Sequence, residues 1–404
     1  MQCLFNPRLN WKYLGFTFIL MCSNGQPIVI DNGTSCIKIG YAGDNVPAHI
    51  IPTIVETLSP SSPSSRLLGA EALKNQDSIS LSHPMEGGVV RSWDDMILLW
   101  EHSLGLLGLS GDNDGMKILH TESTLTSSRA REKILEVSLE TFAFGHAYIS
   151  LQGVLALYSQ GKSTGLVVDI GEGVTDIFPV VDGYAIPHAA RRVDVSGRDI
   201  SRYLMKLLST RGYSFNKPSD LELVRMAKEK LCYVGYDISQ EKKLAAETVV
   251  LEQKFVLPDG RNIYLGPERF EAPEALFTPD LLDVETGGLS TQVFASIAAT
   301  DVDIRQQLYG NILLTGGSSL FPGLVTRLES EIKQLYLEKT LKGDASRMDR
   351  LKALKINDPP TRLYSVFQGG ALLASIMKDR DEFWISRKEW EEFGPSILKK
   401  LGPR

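Results

Sequence analysis

Two hydrophobic stretches of the chain end in an aspartate and a glycine turn. They read PIVIDNGTSCIKIGYAGD and GLVVDIGEGVTDIFPVVDG, with β-branched residues before the turn and a further apolar stretch after it. Such a pattern predicts a β-hairpin. Aligning Asp31 with Asp169 also aligns Gly33 with Gly171. The repetition predicts two related halves.

Apolar residues at helical spacing follow each predicted hairpin. ESTLTSSRAREKILEVSLETFAF predicts a helix that begins near Ser127 and Ser128, and AYISLQGVLALYSQG predicts a strand leading into a helix that ends at Gly161. VSGRDISRYLMKLLSTRGYSF and SDLELVRMAKEKLCYVGY predict two further helices, and NILLTGGSSLFPGL a buried strand, a glycine turn and a helix. LSPSSPSSRLLG is typical of an exposed, mobile loop. The predicted fold class is α/β.

Composition narrows the function classes. The 404 residues include 43 Lys and Arg against 49 Asp and Glu, a net charge of −6 without a long basic run, which argues against nucleic acid as a partner. The four cysteines show neither paired nor metal-ligand spacing, which favours a reduced, cytosolic protein. Residues 1–26 resemble a secretory signal, but the apolar stretch is too short to span a membrane. We expect an appended extension and no membrane span.

The two predicted hairpins suggest phosphate chemistry. Glycine turns leave backbone N–H groups open to phosphate oxygens, and Thr34 and Lys38 add a hydroxyl and a cation. Asp31 and Asp169 stand at corresponding strand ends, where two carboxylates suffice for a hydrated Mg²⁺. Either hairpin alone is more often a plain chain reversal. The pair predicts a clamp on a triphosphate.

A series of motifs resembles the actin family in order, over almost the whole chain from Pro27 onward. They are DNGTSCIKIGYAGD, RSWDDMILLW, SLQGVLALY, VVDIGEGVTD, VSGRDISRYLMKLL, VRMAKEKLCYVGYD, LLTGGSSLFPGL and YSVFQGGALLAS. The segment QLYLEKTLKGDASRMDRLKAL and the ending MKDRDEFWISRKEWEEFG are more similar to an actin-related subunit of an actin-nucleating complex than to conventional actin. The resemblance implies the actin-like ATPase fold, with two related α/β domains, each with an inserted subdomain, around a nucleotide cleft.

The resemblance also implies site residues for ATP or ADP and Mg²⁺. Asp31 and Asp169 would hold the metal through water, and Gln152 would orient an attacking water. The implied nucleotide contacts are Gly33, Thr34, Lys38, Gly171, Glu172, Gly173, Gly197, Lys228, Glu229, Gly316, Gly317, Ser318, Leu320 and Phe321. Arg198 and Asp199 would bridge the cleft, whereas without the family this motif would be predicted to cap a helix. Without the family, Lys228 and Glu229 would be predicted to lie on a solvated helix face.

Five residues differ from those usual in the family: Ser35, Ile170, Glu172, Asp176 and Leu363. Ile170 removes a hydrogen bond to phosphate, worth roughly 0.5–1.5 kcal/mol. Asp176 replaces a histidine, so it either repels the phosphates or serves as a base for the attacking water. We expect nucleotide binding with slow or absent hydrolysis.

The implied function is nucleation of branched actin filaments by mimicry of an actin protomer. Implied partners are the other subunits of the complex, including a second actin-related protein, actin, and nucleation-promoting factors, in the cytoplasmic cytoskeleton. The binding surface is expected to include the charged insertion and the segment with Trp384 and Trp390, although core packing is an alternative for both tryptophans. A divergent actin that polymerises by itself, and a sugar kinase of the same fold, remain alternatives.

The resemblance predicts a division into four subdomains after the extension of residues 1–26. The outer large subdomain comprises 27–52, 84–159 and 364–404, with a small mobile subdomain at 53–83. The inner large subdomain comprises 160–195 and 285–363, with an inner small subdomain at 196–284.

Overall fold

A computed structural model describes residues 25–57, 66–74, 81–109, 111, 113–124, 126–215, 217, 219–258, 260–351 and 353–401. The signal-like stretch and most of the predicted serine- and proline-rich loop lie outside these residues. The end of that predicted loop is a strand, Arg66–Leu68, because it pairs antiparallel with Val55–Thr57.

The strands of the described residues form two six-stranded sheets and three small ones. In chain order they are β1 Ile28–Asn32, β2 Cys36–Tyr41, β3 His49–Pro52, β4 Val55–Thr57, β5 Arg66–Leu68, β6 Leu81–Ser82, β7 Met85–Glu86, β8 Val89–Val90, β9 Lys117–Glu122, β10 His146–Leu151, β11 Gly165–Ile170, β12 Thr175–Val181, β13 Tyr184–Ala185, β14 Arg191–Val193, β15 Gln253–Val256, β16 Asn262–Leu265, β17 Ile312–Thr315, β18 Ile356–Asn357 and β19 Ile385–Ser386.

Helices pack around and between these sheets. They are α1 Ala70–Lys74, α2 Trp93–Leu106, α3 Ser128–Glu136, α4 Gln152–Ser159, α5 Gly197–Thr210, α6 Asp220–Leu231, α7 Ile238–Glu247, α8 Glu268–Glu274, α9 Leu289–Ala298, α10 Val302–Tyr309, α11 Leu324–Leu335, α12 Ser365–Met377 and α13 Arg387–Phe393. Two π-helical turns, Val137–Thr141 and Tyr336–Thr340, follow α3 and α11. Short 3-10 segments are Pro187–Ala189, Pro279–Leu282, Gly317–Leu320, Ala345–Leu351, Asp381–Phe383 and Gly394–Leu401.

The two large sheets share one pairing pattern. The first has the order β19-β10-β9-β1-β2-β3, and the second β13-β12-β11-β17-β18 with β14 paired to β12. In the first, β1 pairs antiparallel with β2 and parallel with β9; in the second, β11 pairs antiparallel with β12 and parallel with β17. The predicted repetition of two α/β halves is therefore confirmed.

The central strands are buried on both faces, which explains their continuous apolar runs. Alternate residues of a strand point to opposite faces. Accordingly Ile28 and Ile30 pack in the core of the first sheet, whereas Val29 packs in a second cluster that also contains Val167 of β11. Residues of α4 and α12 complete that shared cluster. These two helices form a packed layer between the halves.

The local signals for several helices are borne out. Ser127 caps α3 by accepting a hydrogen bond from the Ala130 amide, as serine does at a helix N-terminus. β10 leads directly into α4, and Gly161, with φ of +64°, follows its end. The cysteines within the described residues, Cys36 and Cys232, are free thiols.

Candidate functional site

The two glycine hairpins have matching registers. β1 and β2 pair Asp31 with Lys38, and β11 and β12 pair Asp169 with Asp176. The alignment of the two segments in sequence therefore corresponds to an alignment in space. At the second turn, the Gly171 amide donates to the Val174 carbonyl at 2.9 Å.

The turns of the two hairpins lie against each other. A Cβ on Gly173 would overlap the side chain of Thr34, which belongs to the opposite turn. Gly88, with φ of +71°, approaches the same place, and its Cβ would lie 3.3 Å from Val174 and 3.5 Å from the Ser123 hydroxyl. A side chain at Gly173 would therefore separate the two turns.

A cavity of about 360 Å³ lies between the hairpins. Most of the residues predicted for the site line it: Asp31, Gly33, Thr34, Lys38, Gln152, Asp169, Gly171, Glu172, Gly173, Lys228, Glu229, Gly316, Gly317, Ser318, Leu320 and Phe321. Gly197 and Asp176 do not line it. Its volume is within the range of small-molecule pockets.

Asp31 is buried at the end of β1, and both of its carboxylate oxygens accept hydrogen bonds. It accepts hydrogen bonds from Lys38 at 2.8 Å, from the Thr121 hydroxyl at 2.8 Å and from the Gln152 amide at 3.3 Å. Burial lowers the pKa of Lys38, but attraction to Asp31 and Cys36 outweighs burial and raises the pKa above its usual value. Lys38 therefore carries a positive charge beside the cavity.

Asp169 occupies the corresponding position on β11. Burial, together with repulsion from Asp176 and Asp31, raises its pKa to about 7. Gly316, with φ of +87°, adjoins it, and a Cβ there would lie 2.5 Å from the Asp169 Oδ1. Such a carboxyl group favours a cation nearby, which would stabilise its charged form.

The aspartates provide oxygen ligands suited to Mg²⁺, which keeps several waters and takes only one or two carboxylates. Among the residues that the structure describes, no cluster of three or more His, Cys, Asp or Glu forms a metal site. The two aspartates are therefore the residues that could hold a hydrated Mg²⁺ at this site.

A second group of predicted residues forms a polar network on the inner side of the cavity. Lys228 pairs with Glu172 at 3.2 Å and donates to the Gly197 carbonyl at 2.6 Å. The Ser318 hydroxyl donates to the Gly171 carbonyl at 3.1 Å. Gly197 lies against both Ser318 and Glu172, so it contacts residues that line the cavity without lining the cavity itself.

Lys228 corrects one prediction made from the helical pattern. It is 2% exposed, whereas its helix face was expected to be solvated without the family resemblance. The neighbouring Glu229 keeps a side chain that is 56% exposed and pairs with Arg225 at 2.6 Å. Arg225 also lines the cavity and was not predicted.

The far end of the cavity is apolar. Leu320, Phe321, Pro322 and Leu363 line it, beside the glycine turn that follows β17. The Cδ1 atom of Leu363 is 3.5 Å from the place where a Cβ on Gly317 would lie. This end suits a flat, apolar ring.

Comparison with known proteins agrees with this geometry. The family model described as Actin matches residues 22–402. The chain belongs to the actin family. It is 48% identical over 395 residues to Actin-related protein 2 of Drosophila melanogaster, covering 94% of this chain and 99% of that protein. Identity to Actin-related protein 2 is 48% over 389 residues in Saccharomyces cerevisiae and 47% over 393 residues in Caenorhabditis briggsae, with 94–95% of this chain and 99% of those proteins covered.

Two of the departures from the usual actin-family residues have a structural explanation. Ile170 is fully buried in the core of the second sheet and does not line the cavity. Asp176 accepts two hydrogen bonds from Arg192, at 2.7 and 2.9 Å, and one from Ser123 at 2.9 Å. Both predicted roles of Asp176 treated its charge as unpaired, whereas Arg192 compensates it.

Arg198 and Asp199, predicted from the actin family to bridge the cleft together, make different contacts. Arg198 extends to His83 at 3.4 Å, from α5 to the segment between β6 and β7. Asp199 instead caps α5, because its carboxylate accepts from the Ser196 amide and hydroxyl at 3.0 and 2.6 Å. The cap was the alternative reading of that motif.

The tryptophans predicted for a partner surface lie in the interior. Trp384 is 0% exposed and donates to the Met377 carbonyl at 2.9 Å, and Trp390 is 7% exposed and donates to Glu140 at 2.7 Å. Core packing, the alternative, is therefore correct for both. None of the helices within the described ranges is long and apolar enough to cross a membrane.

Proposed function

We propose that the cavity between the two hairpins binds ATP or ADP with Mg²⁺. The observation that carries this proposal is the contact between Thr34 and Gly173, at which two glycine-rich turns face each other beside the cavity. Glycine turns of this kind present backbone N–H groups to phosphate oxygens. Two facing turns would enclose a phosphate chain from both sides.

In this proposal Gly33, Thr34, Lys38, Gly171 and Gly173 contact the phosphates. Asp31 and Asp169 would hold Mg²⁺ through water, and the charge of the ion would favour the ionised form of Asp169. Glu172, Gly197, Lys228 and Glu229 contact or support the ribose side. Gly316, Gly317, Ser318 and Phe321 form the base end. Each role rests on the resemblance and on the position of the residue in the structure.

We infer that hydrolysis is slow or absent. Gln152 would orient the attacking water, and its amide nitrogen donates to Asp31, to the Asn32 carbonyl at 3.1 Å and to Thr121 at 3.3 Å. These bonds hold the amide group and leave its carbonyl oxygen to accept from water. Asp176, the other candidate for a catalytic role, does not line the cavity, and both of its oxygens already accept hydrogen bonds from Arg192 or Ser123.

We further propose that the chain is the actin-related subunit of the actin-related protein 2/3 complex and nucleates branched filaments by mimicking an actin protomer. The support is identity near 48% over almost the full length of proteins named Actin-related protein 2. Its partners would be the other subunits, including a second actin-related protein, actin and nucleation-promoting factors. Its place would be the cytoplasmic cytoskeleton.

Affinity purification of the tagged full chain, followed by mass spectrometry, tests the assembly. We expect recovery of a second actin-related protein together with further complex subunits. Recovery as a monomer, or as a homopolymer that grows on addition of Mg-ATP, would contradict the proposal and favour a divergent actin.

Titration of the purified chain with ATP, with Mg²⁺ or with a chelator, tests the cavity. We expect saturable binding that Mg²⁺ strengthens. Release of γ-phosphate at the rate of conventional actin would refute slow hydrolysis without affecting the binding proposal. Formation of phosphorylated sugars would instead indicate a kinase.

A further inference from the structure

The hydrogen bond between Ser123 and Asp176 joins the two halves of the protein. Ser123 directly follows β9 of the first sheet, whereas Asp176 belongs to β12 of the second. Their side chains meet at 2.9 Å, and both residues are buried. This contact lies beside the cavity, which Ser123 lines.

Arg192 completes the arrangement from the neighbouring strand. β14 pairs Arg192 with Asp176, and the guanidinium binds both carboxylate oxygens, at 2.7 Å through Nε and 2.9 Å through Nη2. The same Nη2 donates to the Ser123 hydroxyl at 3.1 Å. Ser123 therefore donates to the carboxylate and accepts from the guanidinium. The three side chains form a closed ring of hydrogen bonds.

The ring holds the Asp176 side chain in a fixed position. Three donors occupy its oxygens, and a bidentate guanidinium is a strong, directional partner for a carboxylate. Asp176 also does not line the cavity. Any effect of Asp176 must therefore come from the residues that it holds in place, Ser123 and Arg192.

We propose that Asp176, with Arg192, is a positioning residue that ties Ser123 and the first sheet to the second sheet without help from a ligand. The tie would keep the halves together in the nucleotide-free protein and would slow the release of a bound nucleotide. This second consequence rests on the proposed nucleotide binding, whereas the first does not. The nucleotide would then be only one of the contacts that hold the cleft closed.

The first experiment measures nucleotide release from the full chain, with etheno-ATP as the probe and excess ATP as the chase. The variants are Ser123→Ala, Asp176→Asn and the double variant. Ser123→Ala is the mildest change, because it leaves the ion pair of Asp176 and Arg192 intact. We expect release about tenfold faster, which corresponds to about 1.4 kcal/mol. Arg191→Gln is the control, because the Arg191 side chain donates to the nearby carbonyls of His188 and Ala190.

The double variant distinguishes an effect of Ser123 that acts through Asp176 from a direct contact between Ser123 and the nucleotide. If Ser123 acts through Asp176, the double variant releases the probe no faster than Asp176→Asn alone. If Ser123→Ala accelerates release equally in both backgrounds, Ser123 acts independently and the tie is refuted.

The second experiment needs no nucleotide. Hydrogen exchange of the nucleotide-free protein is measured for residues 117–123 of the first sheet. Asp176→Asn is expected to accelerate exchange there, although the substitution lies in the other sheet. Unchanged exchange would refute the tie. Failure of the wild-type chain to bind etheno-ATP would count against the proposed function only, because the exchange measurement would still decide the tie.

Discussion

Gly173 lies directly against the side chain of Thr34, so that the turns of the two hairpins are in contact. Replacing Gly173 by alanine would place a methyl group where Thr34 already is. The variant is expected to lose roughly 1–3 kcal/mol of unfolding free energy, because overpacking forces the surroundings to move. ATP affinity, measured by titration, should also fall.

Gly105→Ala is the matched control for that substitution. Gly105 lies in the last turn of α2, and apart from its chain neighbours and the backbone of that helix no atom lies within 4 Å of an added Cβ. Alanine there should stabilise the protein by roughly 0.5–1 kcal/mol, because glycine is unfavourable within a helix. Equal effects at Gly105 and Gly173 would contradict the importance of the contact between the turns.

The ion pair of Lys38 with Asp31 is expected to be necessary for stability. Their side chains are 12% and 3% exposed, so Lys38→Met leaves a buried carboxylate without its cation. Removing one partner of a buried pair costs roughly 3–5 kcal/mol. Chemical denaturation measures this loss, and the added change Asp31→Asn should recover part of it.

Lys333 provides the comparison for Lys38. It pairs with Glu329 on α11, with side chains 47% and 40% exposed. Lys333→Met should cost about 0.3–0.5 kcal/mol, because water screens an exposed pair. A similar loss in both lysine variants would show that burial does not determine the cost.

His120 makes stability depend on pH. Its ring is buried, bonded to Ser138 at 3.0 Å and to Asn32 at 3.3 Å, and burial lowers its pKa to about 3. The unfolded chain takes up a proton near pH 6.5 and the folded chain does not. The contribution of His120 is therefore fully present above pH 6.5 and is lost as the pH falls towards 3, by up to about 1.4 kcal/mol per unit.

His120→Gln should flatten the decrease in stability between pH 7.5 and 5.0, measured by denaturation at each pH. The exposed His188 is the control, and His188→Gln should leave the slope as in the wild type. An unchanged slope in the His120 variant would show that other groups determine the acid sensitivity.

Trp384 is expected to contribute to stability and not to partner binding. Trp384→Phe removes the indole donor from the Met377 carbonyl, which still accepts from the Arg380 amide at 3.0 Å, and it removes part of a fully buried ring. We expect a loss of roughly 2 kcal/mol in unfolding free energy, because one buried hydrogen bond is lost and the smaller ring leaves a cavity. Recovery of complex subunits should remain as in the wild type below the melting temperature.

Phe393 is the corresponding surface residue, with 51% exposure at the end of α13. Phe393→Ala should change stability by less than about 0.5 kcal/mol. Loss of the partners in the Trp384 variant, with the fold intact, would contradict the interior role of that tryptophan.

The hairpins were predictable because their signals are local. An apolar, β-branched run, a glycine at the turn and the matching position of Asp31 and Asp169 are all present within short segments, and the strand registers agree with them. The end of the serine- and proline-rich segment was mispredicted because the strand at Arg66 depends on pairing with β4, which composition does not reveal.

The site was less predictable where partners come from distant segments. The pattern of α6 suggests a solvated face at Lys228, but Glu172 and Gly197 converge on it in space. Arg192 lies on a three-residue strand, and its register against β12 has no local signal. The charge of Asp176 could therefore be identified from sequence, whereas its ion pair with Arg192 could not.

The cluster that contains Val29 and Val167 has a consequence for unfolding. Residues of both sheets share one apolar interior with α4 and α12, so neither sheet can lose its packing while the other keeps its own. The two halves repeat one pattern of sequence and strand pairing, but they are not separate thermodynamic units. Heating should melt the protein in a single cooperative transition, and calorimetry should find no stable half-folded species.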